Sequence, residues 1–165
     1  MDTVTGPLMG GSPEGEGGAG GSGAGGGGGG GGGGERLRFK DFEFQRLASG
    51  RCRAKVVLTW ADGRQFAGES DGVISQAGEL RCCAEATVRA LERVVQPKMG
   101  FELLGVKAVR AFDAIVVIVS LSARQESRAS RLVGAYLAET DPPRGAALAV
   151  LNATNRILGN FFATR

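Results

Sequence analysis

Between residues 36 and 47 apolar and polar positions alternate, with Leu37 and Phe39, and then Phe42 and Phe44, set to one face. The parity slips between Phe39 and Phe42, which predicts either a bulge near Lys40-Asp41 or a late strand start. After the turn signal Ser49-Gly50, Cys52, Ala54, Val56, Leu58 and Trp60 alternate with Arg53, Lys55 and Thr59, the pattern of a half-buried strand. Asp62-Gly63 suits a hairpin turn, and residues 65–70 return as a third strand. A loop holding Asp71, Gly72 and Gly78 is expected next. Leu80, Ala84, Thr87, Val88, Leu91, Val94 and Val95 then recur at helical spacing, with Arg81, Glu85, Arg89, Glu92 and Arg93 opposite them. Pro97 and Gly100 end that helix.

The second half follows the same plan. Residues 101–112 read as a strand, Asp113-Ala114 as a tight connection, and the β-branched run 115–121 as a central strand. A polar loop is expected over 122–129 and another strand over 130–139. Asp141 caps a last helix that opens with Pro142 and Pro143, where missing amide donors cost nothing. Its buried stripe is Ala147, Val150, Leu151, Thr154, Ile157, Leu158 and Phe161. Residues 89–95 and 152–158 are weakly alike, so the expectation is an α+β fold: a duplicated βββα repeat, antiparallel sheets with helices packed on one face. Apolar residues at both strand parities, Val56 with Val57 and Val116 with Val117, suggest a partner over the other sheet face. That predicts a homodimer.

Composition divides the chain. Nineteen of the 29 glycines lie in residues 1–34, which contain no Lys or Arg and few apolar residues. Such a segment cannot bury enough surface to offset its ordering entropy, so it is expected to be a disordered tether ahead of one domain at 35–165. Leaving out Asp2, Glu14 and Glu16, that domain carries 20 basic and 14 acidic residues, a net +6. Arg51, Arg53 and Lys55 at alternating positions make a basic sheet face the basis of an alternative function, nucleic-acid binding. Most basic residues interleave with acids, however, which is the mark of a solvated face.

The chain has no histidine and three cysteines, Cys52, Cys82 and Cys83. This argues against a secreted disulfide framework and for a reducing, cytoplasmic setting. No secretory signal is expected, and the longest apolar run is far too short for a membrane span. Adjacent Cys82 and Cys83 cannot easily share one metal ion, and no metal or other cofactor is expected. They sit near a helix start, which can lower a thiol pKa, although buried unreactive cysteine is the commoner case. The carboxylate pairs Glu69/Asp71 and Glu139/Asp141 also fit turns and caps, and no nucleophile–base arrangement exists, so no catalytic residue is expected. The segment Gly68-Glu69-Ser70-Asp71-Gly72 lacks a lysine and carries two acids. It would repel phosphate and suit a zwitterion better.

The stretch from Thr140-Asp141 to Leu151-Asn152-Ala153-Thr154-Asn155-Arg156-Ile157-Leu158 resembles the closing motif of the regulatory C-terminal domain of 2-isopropylmalate synthase. The Gly68–Gly72 segment before an alanine-rich helix, and the strand leading to Asp113-Ala114, resemble softer features of that family. The resemblance implies a duplicated βββα domain that dimerises and binds a small amino acid such as leucine. Carried over, the ligand-binding candidates are Gly68, Asp71, Gly72, Asp113, Ala114, Thr140 and Asp141. The chain departs from the family at Ala111-Phe112, where Gly-Thr is expected, and at Pro142-Pro143. The catalytic barrel of that enzyme is absent. The expected function is therefore a stand-alone, non-catalytic regulatory or dimerisation domain.

Overall fold

The computed structural model describes residues 37–163. The glycine-rich segment, and with it the expectation of a tether, lies outside the described residues. Three strands, β1 (Arg38–Arg46), β2 (Arg51–Thr59) and β3 (Gln65–Val73), precede helix α1 (Gln76–Val95). Then follow β4 (Met99–Ala111), β5 (Ala114–Gln125), β6 (Arg128–Ala138) and helix α2 (Pro142–Ala163). The strands form two antiparallel three-stranded sheets with β2 and β5 at their centres, an α+β architecture. Sheet A is β1-β2-β3 and sheet B is β4-β5-β6.

The parity slip in β1 is a real bulge, because the pairing with β2 shifts register between Phe39 and Asp41. It returns Phe42 and Phe44 to the face that carries Val56 and Ala54. Gly63, at φ 87°, supplies the positive φ of the β2–β3 turn. Two expected loops are strand instead. Asp71 and Gly72 continue β3, paired with Arg53 and Cys52. The polar stretch 122–129 completes β5 and begins β6, with Gln125 paired to Arg128. Backbone pairing to a neighbour already in place outweighs the poor strand preference of glycine, aspartate and serine there. Gly78 lies not in a loop but inside the first turn of α1, where its amide donates to Ser75 Oγ at 3.0 Å and Ser75 acts as N-cap.

Helix α1 packs on β2 and β3 and also along β4 and α2, which is why it is buried on more than one side. Helix α2 packs on β5 and β6. One apolar core joins the inner faces of both sheets to the two helices. Within it a glycine on one edge strand of each sheet, Gly68 on β3 and Gly134 on β6, brings a helix to backbone contact. A Cβ at Gly68 would overlap the Ala86 carbonyl oxygen and the Ala90 amide nitrogen. A Cβ at Gly134 would overlap the corresponding atoms of Ala149 and Ala153.

Helix α2 buries Ala147, Val150, Thr154, Leu158 and Phe161 as expected. Leu151 and Ile157 are half-buried, and Leu151 faces Leu37 across a surface groove. At the far end of α2, Phe162 meets Trp60 edge-on, with ring centroids 4.3 Å apart.

Arg46, at the end of β1, grips Glu79 of α1 through two parallel hydrogen bonds of 2.6 and 2.7 Å. This bidentate geometry is the strong form of the pair, and it holds the Glu79 carboxyl below its usual 4.5. A lowered native pKa means the contribution is fully present above the unfolded value. It is lost as pH falls through the native one. Wild-type stability is therefore expected to drop on titration below about pH 4.5, and Glu79→Gln to flatten part of that drop. Because Arg46 is largely solvated, the variant costs little at neutral pH. Urea unfolding at pH 7 and pH 3 checks both statements, and an unchanged difference between the two pH values would refute the assignment.

Candidate functional site

The seven ligand candidates divide between two places. Gly68, Asp71 and Gly72 all belong to β3. Gly68 is buried against α1. Asp71 points outward and accepts from Arg53 Nε at 2.8 Å. Gly72 leaves room for the thiols, since a Cβ there would lie 3.0 Å from Cys82 Cβ and 3.1 Å from Cys52 Sγ. These three residues therefore serve packing and strand pairing, and the loop that was to present them to a ligand does not exist.

The other four share the end of sheet B. The β4–β5 hairpin closes at Ala111 and Ala114, and the next pairing, Ile115 with Ala138, sets this hairpin beside the exit of β6. Asp113 and Ala114 thus approach Thr140 and Asp141. Asp141 caps α2, its Oδ1 accepting from the Arg144 amide at 3.0 Å. Thr140 and Asp141 line a groove of about 310 Å³ with Tyr136, Leu137, Arg144 and Leu148. It offers acids, a guanidinium and an apolar wall, the chemistry of a small zwitterion with an aliphatic side chain. The Arg144 guanidinium also lies 5.2 Å from the centre of the Phe39 ring.

The cysteines are not reactive groups. All three are free and buried. Burial pushes Cys82 up to about 12, and its Sγ donates to Ser70 O at 3.1 Å, which favours the protonated thiol as well. Burial also raises Cys83, helped by neighbouring Cys82 and Cys52 and by the acids Asp141 and Glu79. Desolvation has overridden the helix N-terminus. No group of three His, Cys, Asp or Glu among the described residues could hold a metal ion.

The outward faces of the two sheets differ in kind. On sheet A the paired rows run Glu43–Lys55–Glu69 and Gln45–Arg53–Asp71, so each cation has carboxylate neighbours. On sheet B they run Val109–Val116–Leu137, Lys107–Ile118–Ala135 and Gly105–Ser120–Val133. Val133 is 65% and Leu137 53% exposed. The sequence signal for this face was the double-parity apolar run at Val116 and Val117. Phe112, Val133 and Leu137 were missed because no periodicity marks a hairpin tip or an edge strand. No helix among the described residues is long and apolar enough to cross a membrane. Set against known proteins, the chain matches no family model and no curated protein.

Proposed function

We propose that this chain is a non-catalytic, regulatory-type domain that assembles as a homodimer through the outward face of sheet B. The observation that carries the reading is the contrast between two sheets of like plan, one facing outward with charge and the other with apolar side chains. An apolar sheet face left in water is costly and marks an interaction site. Its size suits a second copy. A face of three strands of 11 to 13 residues presents about 500 Å² per copy, so two copies bury about 1,000 Å², enough for a specific interface. Its charges suit one as well. The row Glu102–Ser122–Arg131 is negative at one edge, where Glu102 also accepts from Arg124 of its own chain at 3.2 Å, and positive at the other. Reversed against itself about an axis along β5, it sets Glu102 opposite Arg131 twice.

A likeness between the two halves supports the same reading. The alignment that matches residues 89–95 with 152–158 also matches Ala86 with Ala149 and Ala90 with Ala153, the helix atoms that receive Gly68 and Gly134. A duplicated, dimerising βββα domain is what resemblance to the regulatory domain of 2-isopropylmalate synthase implies. The groove at Thr140 and Asp141 is the place where a small amino acid would bind. The nucleic-acid alternative has less support, because Arg53 and Lys55 are flanked by acids and make no continuous positive surface.

Sedimentation and thermal melting of the full chain, with and without a panel of amino acids, test the proposal. A dimer is expected, and a bound amino acid must raise its melting temperature. A chain that stays monomeric at all concentrations overturns the assembly reading. A dimer indifferent to every amino acid keeps the assembly and removes the ligand.

A further inference from the structure

The outward face of sheet B changes character along its strands. Its rows run from Val109–Val116–Leu137 through Lys107–Ile118–Ala135 and Gly105–Ser120–Val133 to Glu102–Ser122–Arg131, so one end is apolar and the other charged. Glu102 and Arg131 are both exposed and stand on the two edge strands. The Glu102 carboxylate lies over this face, because Arg124 of the central strand donates to it at 3.2 Å. Arg131 shares the face by strand alternation, since its neighbour Leu132 turns to the core. Arg131 has no ion-pair partner among the described residues.

Two kinds of twofold axis in the plane of this face let the twisted sheet meet its own twist, one along β5 and one across it. An axis across the strands, centred on these four rows, sets the end rows against each other. Val109 would then face Glu102 and Leu137 would face Arg131, which buries both charges on apolar side chains. An axis along β5 permits no slide along the strands, so every row meets its own reverse. Val109 then faces Leu137, Val116 faces itself, and Glu102 faces Arg131 twice. Lys107 faces Ala135 and no like charge. Arg124 comes near its own copy, but Glu102 of the same chain neutralises it, and a carboxylate has room for a second cation. We infer that Glu102 and Arg131 set the orientation of the homodimer, pairing between copies so that the two β5 strands run parallel. This rests on the assembly reading above. The pair lies at the rim and decides which arrangement and which partner are accepted, while the apolar rows supply the affinity.

Charge exchange on the full chain tests the orientation. Glu102→Lys sets like charges at both contacts of its own dimer, and so does Arg131→Glu. Both positions are exposed, so the monomers keep their fold, which circular dichroism and melting at low concentration verify. Each variant alone is expected to dimerise at least about tenfold more weakly than wild type, read by sedimentation over a dilution series. Mixed in equal amounts, the two variants make both contacts attractive. Heterodimers are then expected to dominate in native mass spectrometry with one variant isotope-labelled. The chain carrying both exchanges is expected to regain near wild-type dimerisation. A mixture with no more heterodimer than random pairing gives overturns the orientation, and the sheet-face dimer then still stands if Ile118→Glu abolishes wild-type association. A monomeric wild-type chain overturns the dimer and its orientation together.

Discussion

Gly68→Ala melts about 10 °C or more below the wild-type chain, the cost expected of roughly 3 kcal/mol in a domain this size. The added methyl collides with main-chain atoms of Ala86 and Ala90, not with side chains that could turn aside. Helix α1 must then move off β3, and it is also packed along β4 and α2, so it cannot yield freely. Gly134→Ala should cost about as much for the same reason, against Ala149 and Ala153. Gly159 is the control. It lies exposed within α2 with nothing near its missing Cβ, and Gly159→Ala should add about 1 kcal/mol through helix propensity. Differential scanning calorimetry of the three variants decides the matter. Equal melting of all three would mean that helix and strand do not touch at these glycines.

Ile118→Glu has the second large effect, and it falls on association and not on folding. Ile118 stands in the middle of the outward face of sheet B, beside Lys107. In the monomer the new carboxylate meets water and a neighbouring cation, so the melting temperature at low concentration should hardly move. In the dimer the two carboxylates would face each other across the axis, out of water and at close range, a like-charge burial that costs several kcal/mol even with Lys107 alongside. The dissociation constant should therefore rise at least about 100-fold, equivalent to roughly 2.7 kcal/mol. Sedimentation of wild type and variant at matched concentrations measures this. A variant that remains as dimeric as the wild type would move the interface to some other surface.

Most of the fold was legible because periodicity and local stereochemistry agree. The slip after Phe39 gave the bulge, and Asp141 before two prolines gave the start of α2. The errors came where tertiary pairing decides. Asp71 and Gly72 look like a loop in isolation, and they become strand because Arg53 and Cys52 are already aligned beside them. The stretch from Ser122 to Ala129 looks polar and irregular, yet it turns within two residues at Glu126-Ser127. Gly68 was read as part of a ligand loop. The clue to its packing role was the small-residue set Ala86 and Ala90 on the helix that follows. Of the candidate site, the part at Asp113, Ala114, Thr140 and Asp141 gathers at one end of sheet B, whereas the β3 part does not.

In the proposed dimer the charged rows on the exterior of sheet A also govern how far association would run. A chain with two apolar exteriors would have a sticky surface left over after every docking event and would grow into filaments. Here the paired acids and bases at Glu43, Lys55 and Glu69 and at Arg53 and Asp71 remain hydrated when sheet B is covered. A completed pair therefore shows the solvent charge on both of its outer sheets and has no apolar sheet to offer a third molecule. In the proposed dimer, stoichiometry is thus limited by the sheet that does not bind.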